Sequence, residues 1–280
     1  MSDPSQHTAE LKRPELVYFP LGNNVTAFST TRHGGVSKGT YAEFNINAFC
    51  GDSPADIVSN RDLLCHELSI KASQLLIPHQ VHSTECRRIE AGFFNRPEDE
   101  RTALLEGVDA LITDYRGICI GVSTADCIPI LLYDPRHHAA AAIHAGWRGT
   151  LQRIAGLTVK AMELQFDTNP QTLKAVIGPG ISMEAFEVGD EVYQLFSEHH
   201  FDMPSISRRY PVLHPRDDEQ QQKWHIDLKG CNRLQLLEAG MATQNILDTQ
   251  ICTYSHPADF FSARRLGISS GRIYTGIICR

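Results

Sequence analysis

A cysteine and a histidine seventeen residues apart, Cys127 and His144, are the side chains in this sequence best placed to do chemistry together. They sit in the stretch Val122 to Gly149, where two short apolar runs, Ile128 to Tyr133 and Ala139 to His144, flank the pair Asp134-Pro135. Short apolar runs on either side of a turn-forming Asp-Pro read as two buried strands. Antiparallel strands joined by a short loop bring their outer ends together, so the thiol at the mouth of the first meets the imidazole at the end of the second. Gly146 leaves room for a ligand to approach them. The pair alone fits two chemistries: a thiol nucleophile with its base, or two ligands of a metal ion. A third ligand would favour the metal, because three protein ligands with a fourth position open is the arrangement of catalytic zinc. His82 is the best candidate, since its neighbours Gln80 and Ser83 are polar in a segment that otherwise reads as half buried. Gln80 to Ile89 alternates like a strand, on which His79 and His82 would face opposite sides, so at most one joins the site.

Cations for an anionic ligand lie elsewhere. In GDSPADIVSNRDLLCHELSI, Asp52 or Ser53 can cap a helix whose first turn holds Pro54. Ile57, Asn60, Arg61, Leu64 and Leu68 fall along one side of it. An unpaired charge beside that apolar stripe is costly, so Arg61 must pair with an internal carboxylate or face a cavity and bind something negative. Arg32 and Lys38 stand on the Gly-rich loop TTRHGGVSKGTY, where they could meet an anion or be solvated.

The elements that must position these groups follow in order. Residues 1–14 read as a loose tail and 15–280 as one domain with no internal repeat or linker. Val25 to Ser29, Val108 to Thr113, Gly117 to Val122, Leu173 to Ile177 and Ile273 to Cys279 read as strands. Leu151 to Phe166, Phe186 to Leu195 (entered through Gly189-Asp190) and Asp227 to about Ala239 read as helices. Ala91 to Gly107 reads as a polar insertion loop and SRRYPVLHPRDDEQQQKW as an exposed excursion. Strands and helices mixed along one chain place it in the α+β class.

Composition limits the function classes. In 280 residues the hydrophobic share is 42% and the charged share 21%, as in a soluble globular protein. A net charge of −7 without a basic run argues against nucleic acid as a partner, though not against a small anion in a local pocket. No apolar run is long enough to span a membrane, and the N-terminus lacks the order of a signal peptide, so a cytoplasmic location is expected. The eight cysteines include no CxxC pair, and only Cys127 has a polar, His-bearing context.

Taken together, TTRHGGVSKGTY, GDSPADIVSNR, QVHS, DALITD, TADCIPILLYD, HAGWRGT, IGPGI, FEVG and the closing CTYSHPADFFSARR with GR span nearly the whole chain. In them the sequence resembles the laccase-domain family, also called YfiH-like or multicopper polyphenol oxidase-like, read as purine nucleoside phosphorylases with adenosine deaminase activity. The resemblance implies a four-layer α/β/β/α sandwich. It also implies a zinc site on His82, Cys127 and His144, with His79 left structural. Where many relatives carry cysteines after Gly-Pro and a few residues on, this chain has Gly180 and Ala185. The implied reaction is cleavage of adenosine, inosine, guanosine or methylthioadenosine by phosphate to base and ribose 1-phosphate, with zinc activating water for deamination at C6 of adenine. Arg61, Arg148 and Lys38 are then the candidates for phosphate, since bidentate guanidinium contacts fit its oxygens. Arg148 has an alternative as an ion pair fixing the HAGWRG turn. Asn45 and Gln80 are candidate partners of ribose or base, and Trp147 either stacks on a purine or packs in the core. The implied partners are nucleoside and phosphate, with the chain a monomer or homodimer.

Two other enzymes fit parts of the pattern. A copper polyphenol oxidase would use the Cys and two His as copper ligands, but the His-rich clusters of a multicopper enzyme are missing from the sequence. A cysteine hydrolase acting on cell-wall peptides would use Cys127 as nucleophile and His144 as base. A non-enzymatic scaffold role would leave these residues dispensable.

Overall fold

The central hairpin is present in the computed structural model, which describes residues 13–213 and 221–280. Strand Ile128–Asp134 pairs antiparallel with Ala139–Ala145, and every residue of both is buried. In this register Pro129 lies opposite His144, so Cys127, one residue before the first strand, arrives at the end of the ladder where His144 sits. Around the hairpin runs a six-stranded sheet in the order Ile246–Asp248, Lys174–Ile177, Ile128–Asp134, Ala139–Ala145, Ala110–Thr113 and Cys86–Arg88. A second sheet of five has the order Leu16–Phe19, Val25–Thr30, Ile273–Cys279, Cys119–Thr124 and Leu75–Leu76. A small third sheet joins Glu187–Val188, Gln222–Ile226 and Ser207–Pro211. With eight α-helices among the described residues, this is one mixed α/β domain. None of those helices is long and apolar enough to cross a membrane.

Alternation along the strands divides the core. Ile130 and Leu132 point to one side and pack with Ile154, Val159 and Met162 of helix Ile154–Phe166 and with Leu236 of helix Leu228–Glu238. Leu131 and Tyr133 point to the other side, into a cluster shared with Ile120, Val122 and Ile277 of the five-stranded sheet. The far face of that sheet, through Phe28, Cys119, Tyr274 and Ile278, meets Leu64 and Leu68 of helix Pro54–Leu68. The period of two on a strand buried on both faces thus serves two separate cores. Fully burying each such Leu or Ile stabilises the fold by about 1.5–3 kcal/mol.

Local signals explain most boundaries. Ser53 caps helix Pro54–Leu68 by accepting from the Asp56 N–H, and Pro54 occupies the first turn. Asp227 caps Leu228–Glu238 through the Gly230 N–H, and Gly189 precedes helix Asp190–Glu198. Four expectations are corrected. The helix expected over 151–166 is two, Trp147–Leu151 and Ile154–Phe166, broken where Arg153 turns left-handed at φ 64°. The insertion loop of 91–107 contains a short 3-10 helix, Ala91–Asn95, and helix Glu98–Leu104, and it buries Phe93. The excursion is not a free loop at its ends, since Ser207–Pro211 and Gln222–Ile226 pair with each other, while residues 214–220 lie outside the described residues. Of the alternating run from Gln80 to Ile89 only Cys86–Arg88 forms a strand. Of the tail over 1–14, residues 1–12 lie outside the described residues, and Pro14 is buried.

Candidate metal centre

Three separate segments deliver the three donors. His144 is the penultimate residue of one hairpin strand, Cys127 precedes the other, and His82 stands in an irregular bend at φ 63°. Their ligand atoms all lie within 4.8 Å of one another, with Cys127 Sγ 3.7 Å from His82 Nε2. The two imidazoles meet edge to face at 4.7 Å. A tetrahedral zinc ion bound by one thiolate and two imidazoles places neighbouring donors roughly 3.3–3.6 Å apart, so this group is close to enclosing one ion. Gly146 closes the cradle: a Cβ there would stand 2.6 Å from His82 Cδ2 and 3.1 Å from Cys127 Sγ. The donor chemistry and the cradle therefore fit a metal. His144 is buried, Cys127 half-buried and His82 exposed, so the group opens toward solvent on the His82 side.

Asp109, wholly buried at the head of strand Ala110–Thr113, holds two of these segments. Its Oδ1 accepts from His144 Nδ1 at 2.7 Å and from the His82 N–H at 3.0 Å. Its Oδ2 accepts from the Ser83 N–H and hydroxyl, each at 2.8 Å, and from the Val81 N–H at 3.2 Å. With Nδ1 so engaged, Nε2 is the His144 nitrogen left for the group. The third segment has its own anchor. Asp126, left-handed at φ 85°, accepts from Thr253 Oγ1 at 2.7 Å, Ser262 Oγ at 3.0 Å and the Arg264 N–H at 2.7 Å. Gly180 lets the chain pass against this turn, because a Cβ there would lie 3.2 Å from the Cys127 carbonyl oxygen.

The charges cooperate. Burial alone would raise the Cys127 thiol, but the adjoining His144 and His82 outweigh it and bring its pKa down to about 6. Burial alone would lower His144, and the Cys127 thiolate with the Asp109 carboxylate outweighs that, raising it to about 9. Asp109 is pushed up by burial, yet the His144 hydrogen bond and charge, then the Ser83 donors, hold it below the usual carboxylate range. Without metal, the two groups favour each other's charged form, the thiol lowered by His144 and the imidazole raised by Cys127 and Asp109.

A family described as multi-copper polyphenol oxidoreductase laccase matches residues 26–280. This chain belongs to that family. It is 45% identical over 256 residues to a purine nucleoside phosphorylase of Bacteroides thetaiotaomicron, covering 91% of this chain and 92% of that protein. It is 42% identical to a protein named adenosine deaminase RL5, from an unknown prokaryotic organism, covering 90% of this chain and 93% of the relative. Two solved family structures superpose on it. The hypothetical protein YfiH of Bacillus licheniformis does so with a TM-score of 0.85 at 26% identity, over 96% of this chain and 98% of that one. YlmD of Geobacillus stearothermophilus does so with a TM-score of 0.80 at 30% identity, over 96% and 99%.

Against this family background, the other residues singled out in the sequence divide sharply. His79 is not brought into the donor group: it stacks on Phe49 at 4.2 Å and meets Glu106 at 2.6 Å. Gln80 is engaged on both sides of its amide by the backbone of Ser123, at 2.7 and 2.9 Å, and so pins the segment before His82 to the five-stranded sheet. Asn45 is wholly buried, donating to Asp52 Oδ2 at 2.9 Å and accepting from the Arg272 N–H at 3.1 Å. The Asn45 amide is thus taken up at both ends within the protein, whereas half-buried Gln80 keeps a second amide N–H beyond its two bonds to Ser123. Arg61 has no ion pair among the described residues; its Nε donates to the Ile46 carbonyl at 2.9 Å, and it lines a cleft of about 540 Å³ with Phe49, His79 and Arg101. Burial lowers its pKa. Arg148 is exposed and lies 4.3 Å over the half-buried Trp147 ring in a cation–π contact, with no ion pair to it among the described residues. Lys38 is exposed on its loop. Sequence reasoning missed Asp109 and Asp126, although an acid at the head of an apolar run, or directly before Cys127, is a signal, because a buried carboxylate must have donors.

Two outcomes follow from this geometry. Gly146→Ala, whose backbone sits at φ −69° and carries no strain, should fold with the His82 ring displaced and bind metal at least about tenfold more weakly in competition with a chromophoric chelator; unchanged affinity would contradict the cradle. In metal-free protein, alkylation of Cys127 followed peptide by peptide should rise with pH through a midpoint of about 6, since the thiolate is the nucleophile. A midpoint near 9 would show that the His144 pairing is absent.

Proposed function

We propose that the chain is a zinc-dependent purine nucleoside phosphorylase acting on adenosine, inosine, guanosine and methylthioadenosine, with adenosine deaminase activity at the same centre. The observation that carries this reading is the His82, Cys127, His144 group, whose third donor stands on an open, exposed side. It is also the single group of three or more potential ligands found together among the described residues. That supports one ion rather than the several coppers of a multicopper oxidase. The names of the relatives at 45% and 42% identity, one a phosphorylase and one a deaminase, support the two activities.

Zinc bound there would supply a Lewis acid able to stabilise negative charge and to lower the pKa of water toward about 7. The chain's own residues do the rest. The Cys127 thiolate and the Nε2 of His144 offer donors already held in place by Asp109 and Asp126. In phosphorolysis a phosphate oxygen bonds to C1′ of the ribose while the C1′–N9 bond breaks and its electron pair leaves with the purine. Phosphate needs a cation that is not neutralised internally. Arg61 meets that need, because only its Nε is engaged within the protein among the described residues and its guanidinium lines a cleft of a size usual for small ligands. Arg148 over Trp147 presents a charged, planar surface that can face a base. Lys38 is the third cation we assign to phosphate.

One observation favours a second reading. Cys127, His144 and Asp109 form a chain of thiolate, imidazolium and carboxylate, which is also the arrangement of a cysteine hydrolase. Incubating protein purified without added metal with adenosine, with and without phosphate, separates the readings. Adenine and ribose 1-phosphate formed only with phosphate, inosine formed in either case, and about one zinc per chain are expected. Protein that carries no metal and leaves adenosine unchanged in both incubations would favour the hydrolase. Arg61→Ala should raise the phosphate KM by roughly 10–100-fold, as loss of charged hydrogen bonds worth about 1.5–3 kcal/mol requires, while leaving deamination within a few-fold. Equal loss of both activities would remove Arg61 from the phosphate site.

A further inference from the structure

We propose that Asp109 is a positioning residue that selects the metal-binding form of the site, fixing the ring nitrogen that His144 offers and the left-handed bend that presents His82. The inference rests on the metal reading of the centre and is independent of which substrate it serves.

An ionised carboxylate has only acceptors to offer. Asp109 meets five donors: His144 Nδ1, three successive backbone N–H groups from Val81 to Ser83, and the Ser83 hydroxyl. Because Oδ1 can only accept, it requires a proton on Nδ1 of His144, which leaves the Nε2 lone pair for a metal. Three consecutive N–H groups pointing at one carboxylate also hold the chain where His82 adopts φ 63°, a conformation that a residue with a Cβ seldom takes unaided. One side chain directly preceding strand Ala110–Thr113 thus sets the ligand from the neighbouring strand and the ligand from a loop. The strand pairing supports it: the His144 N–H also donates to the Asp109 carbonyl at 2.8 Å.

Asparagine at this position exposes the requirement, because its amide has one accepting and one donating end. With the oxygen toward His144, the NH₂ faces the N–H groups of Val81 and Ser83, and the His82 bend must open. With the NH₂ toward His144, the ring must turn its Nδ1 lone pair to it and carry its proton on Nε2, where no metal can bind. Either arrangement breaks the donor group, whereas loss of the Ser83 hydroxyl alone leaves the other four donors in place.

The test compares wild type, Asp109→Asn and Ser83→Ala, each prepared metal-free and titrated with zinc against a chromophoric chelator, and each loaded with Co²⁺ for its visible spectrum. Asp109→Asn should bind zinc about 10–100-fold more weakly and show altered cobalt d–d bands; Ser83→Ala should stay within about threefold of wild type with the wild-type spectrum. An Asp109→Asn protein with unchanged zinc affinity and an unchanged cobalt spectrum overturns the inference. Should that variant not fold, nitrogen-15 NMR of zinc-loaded wild type decides: a proton on Nδ1 of His144 is expected, and one on Nε2 overturns the inference. A wild type that binds no zinc in the titration would instead remove the metal reading itself.

Discussion

A carboxylate buried with no exposed surface, that of Asp109, is the constraint around which the centre is arranged. An unpaired buried charge costs several kcal/mol, and such a group persists only where donors replace the water it has lost. Here five donors do so, and they come from both sides of the site. The same hydrogen bonds that make the charge tolerable also place two of the three donors. Stability and the geometry of the donor group are therefore coupled at this residue. A chain that folds with Asp109 satisfied has already brought His82 and His144 together.

The sheets make that satisfaction possible. Asp109 directly precedes strand Ala110–Thr113, which pairs with the strand carrying His144, so the carboxylate and the imidazole are set by backbone register. The His82 segment has no such ladder. It is held at one end by the Gln80 amide on Ser123 of the other sheet and at the other by Asp109. A rigid hairpin supplies two donors and a tethered bend supplies the third. The exposed donor is thus the one on the least regular backbone, which suits a site that must admit a substrate.

Much of this was legible in the sequence, for reasons of range. The hairpin with Cys127 and His144 at one end follows from short-range pattern: two apolar runs and an Asp-Pro turn within one stretch. Helix Pro54–Leu68 and its Ser53 cap are equally local. No more than one of His79 and His82 was expected in the group, and only His82 lies in it, although the strand invoked to separate them is a bend instead. Asp109 was illegible as a positioning residue because its partners lie about 26 and 35 residues away and meet it only in the folded sheet. Asn45 and Gln80 looked available because they are polar and near motif residues; their amides are engaged by the backbone and by Asp52, which no spacing rule reveals. Arg61 was left between two fates; among the described residues it makes no ion pair, and it lines a cleft with its Nε on the Ile46 carbonyl.

The central claim is that one thiolate and two imidazoles from three segments bind a single ion with one place left open. X-ray absorption at the metal edge, on protein purified without added metal, addresses it most directly. The account requires zinc with one sulfur at about 2.3 Å, two imidazole nitrogens at about 2.0–2.1 Å and one further light atom. A spectrum with no sulfur neighbour, or with a second metal nearby, would contradict it.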